Sequence, residues 1–234
     1  MSSRTLIQSV VRMMAAGAGV AAGAYGAYAA ATWWRYGHPS APAPGGRDAL
    51  LDRFLPVYDV VERHAVRVDA PAEATLEAAR NADMFDAPLV RAIFRGRELL
   101  LGAAADERTR PRGLLAETQS LGWQVLAENP GREIVMGAVA KPWEADVTFR
   151  GVPADQFASF AEPGFVKIAW TLRADPNSSG GSIFRSETRA VATDPFARAK
   201  FRRYWALLSP GIILIRHAAL AVVKADAERA RRAA

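Results

Sequence analysis

The stretch ARAKFRRYWALLSPGIILIRHAALAVVKADAE, residues 197–228, decides the fold. Asp194-Pro195 stands just before it, with an aspartate to cap a helix and a proline for its first turn. Apolar residues recur along it at steps of three and four, which predicts one long helix with a continuous apolar stripe. Pro210-Gly211 is expected to interrupt and kink this helix. The predicted stripe consists of Phe201, Trp205, Leu208, Ile212, Ile215, Ala219 and Val222, with Arg216 off it.

Upstream of this helix, the chain alternates in the manner of β-strands. Residues 57–68 alternate with period two and are rich in valine, which predicts the first strand. Asp69-Ala-Pro71 predicts a helix that runs to about Asp83 with Asp69 as its cap, and Asp86-Ala-Pro88 predicts the next helix. A short helix is predicted at 48–54, and further strands at 122–128, 133–141, 147–151, 165–174 and 183–193, with an Asn129-Pro-Gly131 turn after the first of them.

This order of elements resembles the START-like superfamily, also called SRPBCC or helix-grip, which includes polyketide cyclase-type and lipid-transfer proteins. The resemblance covers about residues 56–228, and it is carried by VYDVVERHAVRVDAPAEATLEAA (57–79), FVKIAWTLRA (165–174), IFRSETRAVATD (183–194) and the ending quoted above. It implies an α+β fold in which a curved antiparallel sheet wraps around the long C-terminal helix. Such a fold encloses a cavity that often takes a hydrophobic ligand. The family usually has about seven strands, and about six are visible here.

The N-terminal segment carries an uncharged run at residues 13–34, MMAAGAGVAAGAYGAYAAATWW. A helix needs roughly 20 such residues to cross a bilayer. The sequence therefore predicts a single-pass membrane anchor within residues 1–38, a Pro/Gly linker at 39–46 and the folded domain at 47–234. Gly19 and Gly23 have the spacing that permits a homodimer in lipid. A cleaved signal peptide, which would leave a secreted protein, and an Ala-rich helix packed on the domain remain open alternatives.

Composition limits the chemistry of the chain. Its 234 residues contain no cysteine, which excludes disulfides, thiolate metal sites and cysteine nucleophiles. The net charge of +6 is concentrated in residues 196–234, with nine Lys or Arg against two acids. No nucleic-acid motif accompanies these charges, so no nucleic-acid partner is expected. With three histidines and no GxGxxG, Walker, HExxH or GxSxG motif, the sequence predicts neither a metal nor a cofactor.

The alternation along the predicted strands indicates which side chains could reach a cavity. Glu62 and His64 share a strand face with Val66 and Val68, where they could form an acid–base pair or lie partly exposed. Glu187 and Arg189 share a face with Arg185, either as an outer ion-pair ladder or as an inner clamp for a carboxylate or phosphate. The tryptophans and Met136 would suit an apolar pocket or plain core. The candidate cavity set is Glu62, His64, Trp123, Met136, Trp143, Trp170, Glu187, Arg189 and Trp205.

Three functions follow from this reading. The first is binding or transfer of a hydrophobic or amphipathic, lipid-like small molecule by a membrane-tethered domain. The second is a cyclase- or dehydratase-type enzyme that uses Glu62 with His64, or Glu187, in the same cavity. The third is a non-catalytic docking protein. A desolvated Glu or His at the cavity wall favours chemistry, and a large apolar cavity favours carriage.

Overall fold

Helices and strands follow the predicted order in a computed structural model, which describes residues 3–83, 90–93, 95–96, 102 and 111–233. Side chains are described from residue 16 onward, except that of residue 18. Residues 90–93 and 95–96 are helical, and the predicted helix start at 86–88 lies outside the described residues. The helices are α1 Ser3–Arg35, α2 Ala49–Asp52, α3 Ala72–Asn81, α4 Leu114–Ser120, α5 Ala154–Phe157 and α6 Pro195–Ala233, and the strands are β1 Val60–Val68, β2 Gln124–Asn129, β3 Glu133–Ala140, β4 Val166–Pro176 and β5 Ser182–Ala192.

The five strands form one antiparallel sheet in the order β1-β5-β4-β3-β2. The predicted strand at 147–151 is wrong. That segment makes a single bridge, in which Arg150 and Val139 exchange backbone hydrogen bonds of 2.9 Å. It cannot extend into a ladder because Pro153 follows at once, cannot donate to a neighbouring strand, and begins α5.

Helices cover both faces of this sheet. The long helix α6 and the shorter α3 pack on one face, where their apolar residues meet Ile134, Trp170 and Phe184. The helices α2 and α5 pack on the other face, over Val135 and Ala169. The molecule is thus α+β, with a five-stranded antiparallel sheet against a long C-terminal helix in the helix-grip manner.

The final helix begins where it was predicted to begin, but its buried residues differ from the predicted apolar stripe. Asp194 caps it, because its Oδ1 accepts from the N–H groups of Phe196 at 2.8 Å and Ala197 at 3.0 Å. The expected interruption is wrong, since the helix continues through Pro210. Beyond Trp205 the buried side is shifted by one position from the predicted stripe, because Ser209, Leu220 and Val223 are buried whereas Leu208, Ala219 and Val222 are only half-buried. The buried residues of α6 are Ala197, Phe201, Trp205, Ala206, Ser209, Leu220, Val223 and Ala227.

The start of α3 differs from the prediction. Pro71 occupies the cap position, and no side chain caps the helix. Asp69 instead turns toward the end of α6. Its N–H donates to Glu228 at 2.9 Å, and its carboxylate pairs with Arg231. The aspartate therefore links the segment between β1 and α3 to the C-terminal end of α6, and it does not cap α3.

The N-terminal helix α1 contacts the domain only near its C-terminal end, as far as its side chains are described. Arg202 of α6 donates to the carbonyl of Trp33 at 2.8 Å, and the Tyr28 and Ser209 hydroxyls lie 3.0 Å apart. Tyr25 donates to the carbonyl of Leu207, close to the break in hydrogen bonding that Pro210 creates. Most described side chains before residue 28 are exposed.

Candidate functional site

The candidate site lies on the sheet face that meets α6. In β1 and β5, Glu62 is opposite Thr188 and His64 is opposite Ser186. Because strand side chains alternate between faces, these two pairs point to the same side as Trp170, which is opposite Thr188 on β4. They form two adjacent rows across the sheet beneath the middle of α6.

Two residues of α6 complete what we call the polar cluster: Glu62, His64, Ser186, Thr188, Arg216 and His217. The His64 ring lies 4.6 Å from the His217 ring, centroid to centroid. The His64 Nε2 lies 3.5 Å from Glu62 Oε2, with the imidazole side chain 10% exposed. The Arg216 guanidinium stands over the Trp170 ring, 5.6 Å from its centroid. Charged, imidazole and hydroxyl groups therefore meet where α6 crosses the sheet, with His217 on the exposed side.

Arg216 is the cation of the polar cluster, and it has no close counter-charge among the described residues. Burial lowers the pKa of its guanidinium to about 10, and the negative charge of Glu62 opposes that shift only in part. No ion pair within 4 Å joins Arg216 to a carboxylate in the described part of the chain. An anion beside this guanidinium would restore the balance, because a desolvated cation is costly without a close counter-charge.

Three polar atoms of the cluster are buried without a hydrogen-bond partner. They are Nε2 of His64, Oγ of Ser186 and Oγ1 of Thr188. The Glu62 carboxylate is near His64 Nε2 but does not meet hydrogen-bond geometry. A buried polar atom left unpaired costs about 1–3 kcal/mol, so most such atoms in proteins have partners. Their concentration here makes this part of the interface short of hydrogen-bond partners.

Apolar groups surround the polar cluster. The Trp123 ring lies 6.1 Å from the Trp170 ring and 4.9 Å from the Phe149 ring, and Met136 is opposite Trp170 across the sheet. Along α6, one apolar group lies before the cluster and another after it. The first includes Phe201 and Trp205, and the second includes Leu220, Val223 and Ala227. The interface is polar at its centre and apolar at both ends.

Thr188→Val tests whether the unpaired hydroxyl is costly in the free protein. Valine keeps the shape and removes the unsatisfied oxygen, so we expect the free energy of unfolding to rise by about 1 kcal/mol. Thr171→Val is the matched control, because the Thr171 hydroxyl accepts a hydrogen bond from the Glu187 N–H at 3.4 Å on the opposite face. Chemical denaturation of both variants measures this, and destabilisation by Thr188→Val would contradict it.

The structure does not bring all nine candidate residues together. Glu62, His64, Trp123, Met136 and Trp170 lie at or beside the polar cluster. Trp205 and Trp143 pack at the N-terminal end of α6, beside Phe201. Glu187 and Arg189 lie on the opposite face of the sheet. There Arg189 donates to Glu187 at 2.7 Å, and Arg63 pairs with Glu187 at 3.1 Å.

Sequence reasoning missed Ser186, Thr188 and Arg216. The signal for the two hydroxyls was available, because they alternate with Arg185 and Glu187 in the predicted strand. The signal for Arg216 was its position four residues before Leu220 and four after Ile212, on the same helix face. His217 is exposed, and its ring contacts that of His64. In the described ranges, no group of three His, Asp or Glu side chains could hold a metal ion.

A buried carboxyl pair on the opposite face makes stability depend on pH. Burial raises the pKa of Glu133 to about 7, and the neighbouring Asp48 adds to the shift. A carboxyl that holds its proton more tightly when folded stabilises the protein at low pH. This stability is complete below the ordinary value of 4.5 and is lost as the pH rises through about 7.

We therefore expect the unfolding free energy to fall by up to about 3 kcal/mol between pH 4.5 and 7 through Glu133. Glu133→Gln should remove this fall and stabilise the protein at pH 8. Glu128→Gln, at a half-exposed carboxylate paired with Arg80, should leave it in place. Urea denaturation across this pH range provides the measurement, and equal pH profiles for wild type and Glu133→Gln would refute the assignment.

Comparisons with known proteins give limited help. No family model matches the chain, and no curated protein matches it. Among solved structures, DR_A0006 from Deinococcus radiodurans is similar at 15% identity and a TM-score of 0.24, over 64% of this chain and 98% of that one. Ara h 8.0201 is similar at 8% identity and a TM-score of 0.20, over 65% of this chain and 97% of that one. Likenesses this remote carry no conclusion about ligand or activity.

Proposed function

We propose that this protein binds, and transfers, an amphipathic lipid-like molecule between the sheet and α6. The observation that carries the proposal is the group of unpartnered polar atoms on His64, Ser186 and Thr188 beside the unbalanced Arg216. A polar or anionic head would satisfy these groups. Its apolar part would lie along the aromatic wall of Trp123 and Trp170. Ligand sites are commonly apolar with a few convergent polar groups of this kind.

We further propose that α1 holds the domain at a membrane. The uncharged run at 13–34 supports this, as does the exposure of its described side chains, including Val20 at 74%. A Cβ added at Gly19 or Gly23 would meet nothing within 4 Å, so this surface is open to lipid or to a second copy. By length and composition, one helix among the described residues could cross a bilayer, α6, which packs on the sheet, so the proposal for α1 rests on its uncharged run and its exposure.

N-terminal sequencing of the membrane fraction distinguishes an anchor from a cleaved signal peptide. An intact N-terminus that stays with the membrane after alkaline carbonate washing would agree with the anchor. A mature chain that begins near residues 28–32 and is found in the soluble fraction would refute it.

Native mass spectrometry of the full chain, released from detergent, tests ligand binding. We expect the wild type to retain a lipid-sized mass after incubation with mixed lipids, and Arg216→Leu to lose it. Arg203→Leu is the matched control, because Arg203 is an exposed arginine of the same helix. A wild-type protein that stays free of ligand under these conditions would count against the proposal.

A second candidate function, acid–base chemistry on the bound molecule, is favoured by one observation. The Glu62 carboxylate and the His64 imidazole are 3.5 Å apart and both are mostly buried. An adjacent carboxylate and imidazole can move a proton to or from a substrate. Mass spectrometry of the extracted ligand separates the two functions, because a carrier releases what it received and an enzyme releases a changed molecule.

A further inference from the structure

A concave site separate from the polar cluster lies on the face of the sheet opposite α6. It is a half-open cleft of about 310 Å³ between the segment after α2 and the segment after α5. Its volume is at the lower end for small-molecule sites, so it suits a short ligand better than a two-chain lipid. The apolar lining includes Phe54, Leu55, Val57, Phe160 and Val191.

One charged side chain lines this cleft. Lys167 stands on β4 between Val139 of β3 and Val191 of β5, and it is only 8% exposed. Its Nζ donates to the carbonyl of Ala158 at 2.6 Å, which occupies one of three ammonium protons. The cleft lining holds no carboxylate, and Lys167 forms no ion pair with any described residue.

This buried ammonium therefore lacks a counter-charge. Burial alone lowers the pKa of Lys167, with no opposing acid. A desolvated cation is unfavourable unless an anion pairs with it or it loses its proton. Of the other three lysines, Lys141 and Lys224 each lie within 4 Å of a glutamate, and Lys200 is exposed to solvent.

The rim of the cleft is also positive. The Arg53 guanidinium lies 5.7 Å from the centroid of Phe54, and the Arg150 guanidinium lies 5.2 Å from that of Phe160. Arg150 is paired with Glu162, whereas Arg53 forms no ion pair in the described part of the chain. The cleft thus presents an apolar wall, a buried cation at its floor and a further cation at its edge.

We propose that this cleft binds a monocarboxylate with a short to medium alkyl chain. The carboxylate supplies the counter-charge that Lys167 lacks, and the alkyl chain covers Phe54, Phe160 and Val191. The site is separated by the sheet from the polar cluster under α6, so it does not depend on the function proposed there.

The test uses octanoate as the probe and octanol as its uncharged counterpart. The chain has four lysines, so reductive ¹³C-methylation of the full-length protein gives few signals to assign, and Lys167→Arg identifies that of Lys167. We expect octanoate to shift the Lys167 signal and to leave those of Lys141 and Lys200 in place. Octanol should produce less than a tenth of the effect at equal concentration.

Thermal melting provides the second measurement. Octanoate should raise the Tm of the wild type and of Lys167→Arg, which keeps the cation, but not that of Lys167→Met. These melts use an Arg216→Leu background, in which the polar cluster lacks its cation, so failure at the polar cluster and failure at this cleft are distinguishable. An unshifted Lys167 signal, an equal response to octanol, or an octanoate response that persists in Lys167→Met would overturn the proposal.

Discussion

Replacing Arg189 with alanine is expected to lower the free energy of unfolding by about 3–5 kcal/mol. Arg189 is 2% exposed and donates to Glu187 at 2.7 Å, to Asp52 at 2.6 Å and to the carbonyl of Leu55 at 2.9 Å. It thereby ties α2 and the segment after it to the middle of β5. Its removal leaves the buried carbonyl of Leu55 without its donor and leaves the buried Glu187 with Arg63 as its remaining partner, which costs more than the loss of a surface pair.

Arg185→Ala is the control for this prediction. Arg185 lies on the same strand face and pairs with Asp175 at 3.1 Å, but its side chain is 36% exposed. Arg132 and Arg173 also hold Asp175, so the acid keeps partners when Arg185 is lost. We expect a loss of at most about 1 kcal/mol in this variant. Chemical denaturation measures both losses. Equal losses in the two variants would show that the buried Arg189 network contributes no more to the free energy of unfolding than the exposed Arg185 pair does.

A chain that starts at residue 47 is expected to be about 3–5 kcal/mol less stable than one that starts at residue 35. Most of the difference comes from Tyr36, which is 5% exposed and packs edge-on against Phe201 with 6.0 Å between ring centroids. Its hydroxyl donates to the Asp59 carboxylate at 3.2 Å. Burial and this carboxylate raise the pKa of Tyr36 far above its ordinary value, so the hydroxyl remains a donor at neutral pH.

Thermal and urea denaturation of the two truncated chains measure this difference. Both lack α1, so its contacts with α6 do not enter the comparison. Tyr36→Ala in the longer chain should reproduce most of the loss. Equal stability of the two chains would show that the domain does not need residues 35–46.

Much of the fold was predictable because its local signals agree with its packing. The Asp194-Pro195 pair predicts a helix start, and the alternation in β1 and β5 predicts strands. The structure has a helix and two strands at these positions. The strand at 147–151 failed because alternation alone does not reveal whether a neighbouring strand is free to pair. The Asp69 cap failed because Arg231, distant in sequence, competes for the same carboxylate.

The site was only partly predictable for a related reason. Alternation places Glu62 and His64 on one face, but it cannot tell that Glu187 and Arg189 meet Asp52 on the other side of the sheet. Arg216 was predicted to lie off the apolar stripe of the final helix. Only the register of α6 against β4 shows that it stands over Trp170.

Photoaffinity labelling tests most directly whether a lipid-like molecule lies between the sheet and α6. The full-length protein would be irradiated with a fatty acid that carries a diazirine, and the labelled peptides would be mapped by mass spectrometry. We predict labels on α6 between Ile212 and Leu220 and on β4 near Trp170, both suppressed in Arg216→Leu. Labels confined to the exposed side of α1, with none on the sheet face under α6, would contradict the account.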